Sequence, residues 1–108
     1  MTLEAQQLAF LQEKARRLRR DVLTMVHRAN SGHVGGSLSA AEIMVALYHH
    51  VMRHDPRRPD WDARDRFLLS KGHCTPIYYA ALADCGYFPR ADLETFRRVG
   101  SHLQGHPY

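Results

Sequence analysis

The sequence predicts an α/β fold: the opening, mostly helical part of a parallel-sheet domain that is incomplete in this chain. Three observations carry that prediction. A long amphipathic helical pattern fills the first quarter of the 108 residues. A short apolar run, Phe67-Leu68-Leu69-Ser70, bounded by polar residues, is the best strand candidate. The turn after it leads straight into another helix, and a lone buried strand needs neighbours to pair its backbone groups, which this chain does not supply.

Leu8, Leu11, Ala15, Leu18, Val22, Met25 and Ala29 recur at alternating spacings of three and four, one apolar stripe on a helix from Leu3 to Ala29. Asn30-Ser31-Gly32 stops it. His33-Val34-Gly35-Gly36-Ser37-Leu38 follows, a glycine-rich loop with unusual backbone freedom. Ser39 and Glu42, three residues apart, have the spacing of a capping box, and the helix they start turns Ile43, Met44, Leu47, Tyr48 and Val51 inward. Pro56 and Pro59 punctuate a connector around Trp61. After the strand candidate, Ser70-Lys71-Gly72-His73 makes a strand-to-helix loop. Thr75 and Pro76 suit N-cap and first position of a helix that carries Ile77, Ala80, Ala81 and Leu82 and closes at Gly86. A shorter helix spans Ala91 to Val99, and Ser101 to Tyr108 is extended or looped.

Composition narrows the functional classes. Apolar residues make up 44% and charged residues 24%, as in a folded globular chain. The length allows one domain, residues 1–108, with no second. No run nears the roughly 18 apolar residues of a membrane helix, and the polar, helical N-terminus is unlike a signal peptide. Two cysteines, Cys74 and Cys85, give no disulfide framework and suit a reducing, cytoplasmic setting. Arg16, Arg17, Arg19 and Arg20 form the dense basic run, on the flanks of Leu18. Base-reading and stacking residues do not accompany it, so a solvated or partner-facing helix is expected and nucleic acid is not.

Eight histidines in so short a chain direct the search for chemistry. Gly32-His33, Gly72-His73 and Gly105-His106 share one local grammar, a histidine after a glycine between elements. Glycine lets the backbone approach a ligand closely, and imidazole can donate, accept or carry charge near neutral pH. Such loops are where α/β folds place ligands. Any one pair would equally serve as a turn or cap; three together favour a site. His50 and His54, four apart beside His49, have a metal-chelating spacing, but no nearby cysteine or glutamate completes a set, so no metal site is assigned. Cys74, beside His73, reads as a small packed thiol.

Taken in register, these segments resemble the N-terminal part of the transketolase family, and most closely the N-terminal subunit of split, two-chain forms. The matching residues are Ser31-Gly32-His33-Val34-Gly35-Gly36-Ser37-Leu38-Ser39, Asp65 to His73, Gly86-Tyr87-Phe88, and Phe96-Arg97-Arg98-Val99-Gly100-Ser101 leading to Gln104-Gly105-His106-Pro107. The resemblance runs from about Arg17 to the last residue. It implies transfer of a two-carbon ketol unit between sugar phosphates with thiamine diphosphate and Mg2+. His33 and His106 would be catalytic, beside the reacting carbons and the donor hydroxyls. His73, Gly72, Gly35 and Gly36 would bind cofactor, with Lys71 and Ser70 close enough to assist.

The resemblance also implies partners: a second copy of this chain, together with a C-terminal transketolase-type subunit, which brings the glutamate that activates the aminopyrimidine. The family's Gly-Asp-Gly stretch and later asparagine, which hold metal and diphosphate, have no match here, so metal ligands are expected outside this chain. Cys74 sits where a small residue such as alanine is common. A truncated or fragmentary subunit is the expectation, with two alternatives: an inactive interaction module of the same fold, and a related thiamine-diphosphate synthase that joins pyruvate to a triose phosphate. Gln104-Gly105-His106-Pro107 fits transketolase better than the synthase.

Overall fold

The three-and-four spacing does build one long helix. In the computed structural model, which describes residues 4–106, α1 spans Ala5–Ala29. The expected start at Leu3 lies outside the described residues. Glu4 and Gln7 close a reciprocal capping box, with the Glu4 N–H donating to Gln7 Oε1 at 3.1 Å. Asn30 ends the helix in the left-handed region, φ 51°. Ala15, Leu18, Val22 and Met25 are buried, but Leu8 stays 46% exposed. It lines an open groove of about 630 Å3 together with Leu11, Ala15, Val45 and Ala46.

The glycine-rich segment corrects the expectation of a loop, because Val34–Ser39 forms a helix, α2. Gly35 and Gly36 take ordinary helical backbone; the positive φ in this region falls on Gly32, at 130°. Packing supplies what propensity lacks. Ser37 is fully buried, and its Oγ accepts the Ile77 N–H at 3.4 Å. The expected capping box at Ser39 is not made either. Ser39 donates its hydroxyl back to the Gly36 carbonyl at 2.8 Å, and Glu42 pairs with Arg19. The next helix, α3, therefore spans Ala41–Ala46 and starts from Ala40.

A π-helical turn, Leu47–Val51, continues α3, closed by the Met52 N–H on the Leu47 carbonyl at 2.8 Å. Ala41, Met44, Val45 and Tyr48 face the core, whereas Ile43 (61% exposed) and Val51 face outward, against expectation. The inward face follows Ala41, Met44, Val45 and Tyr48, which leaves Ile43 on the far side of the helix.

Phe67–Ser70 forms no strand and bends at Ser70, and no strand occurs among the described residues. Phe67 packs against Tyr48 and Tyr78, while Leu68 is 90% exposed. A strand is a paired object, and this run has no partner to pair with. What these residues form is a helical layer, not the sheet.

α4, Thr75–Cys85, starts one residue earlier than the sequence suggests, with Cys74 as N-cap and Pro76 in the first turn. Gly86, φ 96°, closes it as expected. Ile77, Tyr79, Ala80 and Ala81 are buried against α1, α2 and α3. The expected helix at Ala91–Val99 is a shorter 3-10 turn, Arg90–Thr95, ended by Phe96 at φ −50°, ψ 125° and by Arg97 at φ 64°. Phe96 and Leu103 complete the core. Among the described residues no helix is long and apolar enough to cross a membrane.

Candidate functional site

The helix starts of α2 and α4 meet, and their flanking histidines come with them. His33 is the N-cap residue of α2; its side chain makes no capping bond and is exposed. His73 precedes α4 by two residues and is also exposed. The two rings touch edge to face, centroids 5.1 Å apart at 80°.

Gly36 makes this approach possible. Cys74 is fully buried, and a Cβ on Gly36 would fall 2.3 Å from its Sγ and 3.6 Å from His73 Nε2. Gly35 has nothing within 4 Å of its would-be Cβ, so its surface is open. Gly72 lies in the turn closed by the Cys74 N–H on the Lys71 carbonyl, 2.9 Å. Lys71 Nζ donates to the Gly36 carbonyl at 3.3 Å and to Ser39 Oγ at 3.2 Å, tying the turn before α4 to α2.

His106 reaches the same end of α4 through its chain neighbours. Thr75 Oγ1 lies within reach of the carbonyls of Gln104 (3.2 Å) and Gly105 (3.0 Å), which share its one proton, and the Tyr79 hydroxyl donates to Gln104 at 2.8 Å. His106 itself is exposed, and Pro107 lies outside the described residues. The structure thus brings His33 and His73 into contact and anchors the chain one residue before His106.

The other histidines have different work. His54 is held between the Tyr87 hydroxyl (Nδ1, 2.5 Å) and the Tyr48 carbonyl (Nε2, 2.6 Å), so both nitrogens are engaged within the protein. No group of three or more His, Cys, Asp or Glu comes together for a metal among the described residues. Three of the four basic-run arginines form ion pairs: Arg16 with Glu13 (2.5 Å), Arg17 with Asp84 (3.7 Å), and Arg19 with Glu42.

A polar cluster that the sequence does not announce sits at the far end of α4. The Asp84 carboxylate, 2% exposed, meets Lys14 (2.9 Å), His49 (3.0 Å) and Arg90 (3.0 Å). Burial pushes the Asp84 carboxyl up, but hydrogen bonds from His49 and Lys14 outweigh it and hold the group well below the usual carboxylate range. The Asp84 hydrogen bond, helped by Cys85, raises His49 to about 9 against the opposing pull of burial. A signal existed: His49 follows the inward-facing Tyr48, an inner position that a polar side chain occupies only with a partner.

A helix-start histidine pair beside an open glycine, with a third histidine on a segment tethered to the same helix, is a grouping able to hold a polar, anionic ligand. Residues 11–108 match the family described as transketolase, thiamine diphosphate binding domain, and the chain belongs to that family. It is 48% identical over 96 residues to the 6-deoxy-6-sulfo-D-fructose transketolase subunit SqwG of Clostridium sp. (strain MSTE9), covering 89% of this chain and 35% of that one. It is 45% identical over 107 residues to the transketolase of Mus musculus, covering 96% and 17%. Among solved structures, the transketolase from Leishmania mexicana superposes with a TM-score of 0.86 at 36% identity, covering 90% of this chain and 15% of that one. The chain therefore spans about a third or less of the length of these relatives.

Proposed function

We propose that this chain forms one wall of the cofactor and donor pocket of a transketolase, moving a two-carbon ketol unit between sugar phosphates. The single observation that carries this reading is the His33–His73 contact, two exposed imidazoles held edge to face where α2 and α4 begin. The residues suit thiamine diphosphate in kind. His73 offers a hydrogen bond or partial charge to a diphosphate, Gly35 leaves open surface beside it, and Gly36 serves by letting Cys74 and the His73 loop pack against α2, with Gly72 in the turn before His73. His33 and His106 would bind and orient the polyhydroxylated donor and move protons at its hydroxyl oxygens. When bound, thiamine diphosphate supplies the nucleophilic carbon and the electron sink that no side chain provides. Magnesium demands oxygen ligands in near-octahedral array, and these come from outside residues 1–108.

In this reading the helices cover a parallel sheet built by further chain, and the site is completed by a second copy and by a C-terminal transketolase-type subunit, in the cytoplasm. Two relatives of split type support a separate partner chain: SqwG, and one component of the apulose-4-phosphate transketolase of Phocaeicola vulgatus. The test is ketol transfer by the assembled enzyme carrying this segment. His33→Ala and His106→Ala should each lower turnover by about 10²-fold or more, by analogy with other positioned acid–base groups. His50→Ala should leave it within about twofold. A silent His33→Ala would overturn the assignment.

A further inference from the structure

Three consecutive carbonyls of the segment before His106 accept hydrogen bonds from elsewhere in the chain. Leu103 accepts the Arg97 N–H at 2.7 Å. Gln104 accepts the Tyr79 hydroxyl, and the single Thr75 hydroxyl proton is shared between the Gln104 and Gly105 carbonyls. The donors are dry: Thr75 is fully buried and Tyr79 is 6% exposed, and in such surroundings a hydrogen bond is electrostatically stronger than in water. Leu103, 2% exposed, plugs the core beside them, and the Gln104 side chain donates to the carbonyls of Arg98 (3.0 Å) and Ser101 (2.8 Å). All of this order ends one residue short of an exposed imidazole. The same helix start serves both ends, since Thr75 stands two residues after His73.

We infer that Thr75 and Tyr79 are positioning residues. Their hydroxyls fix the Gln104–Gly105 backbone to the first turns of α4 and so set where His106 stands relative to His73. The inference rests on the proposed role of His106, and it assigns neither hydroxyl a contact with substrate or cofactor.

Kinetics of the full-length assembled enzyme test it. Tyr79→Phe and Thr75→Val, each close to isosteric, should lower kcat/KM for the ketose donor by about tenfold, a plausible cost for a small misplacement of a reacting group. Thr75→Ser, which keeps the hydroxyl, should restore most of it. In a His106→Ala background the same two changes should have no further effect beyond about twofold, because they act through the missing imidazole. Effects that persist undiminished in that background would mean a general structural role and overturn the inference. Full activity of both variants beside a damaged His106→Ala would overturn it too, leaving the site reading intact. A silent His106→Ala would remove the site reading and this inference together.

Discussion

Gly36 shows how far a single residue was readable. The glycine-rich segment announces backbone freedom, whereas what Gly36 provides is close approach, to the Cys74 thiol and the His73 ring. Its neighbour Gly35 belongs to the same segment, yet a Cβ there would meet nothing within 4 Å, because the sequence marks where a side chain is missing, not what fills the space. Cys74 is equally ambiguous in sequence, and its complete burial makes it the packing partner of Gly36. Gly36→Ala should therefore destabilise the protein by about 1–3 kcal/mol, an overpacking cost only partly offset by better helix propensity. Cys74→Ala should by itself cost little, and combined with Gly36→Ala it should recover most of the loss. Thermal unfolding of the three variants checks this; additive losses would mean that the two residues do not share the contact.

At the scale of elements, the helices with strong periodicity were legible and the ones made by packing were not. α1 and α4 follow from their apolar spacing and their Asn30 and Gly86 stops. α2 could not be seen, since its two glycines argue against a helix until Ser37 and Leu38 are placed against their neighbours. Phe67–Ser70 has strand composition but pairs with nothing here. The Asp84 cluster joins α1, the π turn, α4 and the 3-10 turn through Lys14, His49 and Arg90.

Its pH dependence follows from the two shifts. His49, raised from about 6.5 to about 9, stabilises fully below 6.5 and loses that contribution as pH climbs through 9. Asp84, depressed, contributes fully above the ordinary carboxylate range and loses it only in strong acid. The opening free energy of the last turn of α4, from amide exchange corrected for intrinsic rate, should decline between pH 6.5 and 9. His49→Gln should flatten that profile, and an unchanged slope in the variant would assign the effect to another group.

For the whole molecule, the family was legible because several matching segments in register are hard to obtain by chance, while the expected sheet has no strand among the described residues. Leu68, Val99, Ile43, Val51 and Phe10 all remain exposed, more large apolar surface than a free monomer comfortably presents to water. The 108-residue polypeptide by itself should self-associate, and sedimentation would check this: a monodisperse monomer with a sharp cooperative melt would contradict it. The same polypeptide should not bind thiamine diphosphate at micromolar concentration. One histidine contact adds about 1–3 kcal/mol, against roughly 8 kcal/mol for micromolar affinity. Calorimetry with cofactor and magnesium should give no saturable isotherm; a magnesium-dependent one would mean that copies of this chain build a metal site between them.

The π turn at Leu47–Val51 has a consequence for chain length. Its wider ring leaves the Tyr48 carbonyl free of the helical ladder's usual claim, and His54 Nε2 takes it instead, 2.6 Å away, with Cys85 Sγ at 3.8 Å. A regular α-helix turns by about 100° per residue, so removing one residue here would tighten the ring and swing everything after it by nearly a third of a revolution. Tyr48, His49 and His54 would then leave Tyr87 and Asp84 in one stroke. This turn is a spacer of fixed count: a chain one residue shorter between Ala46 and Met52 would have to rebuild both ends of that contact.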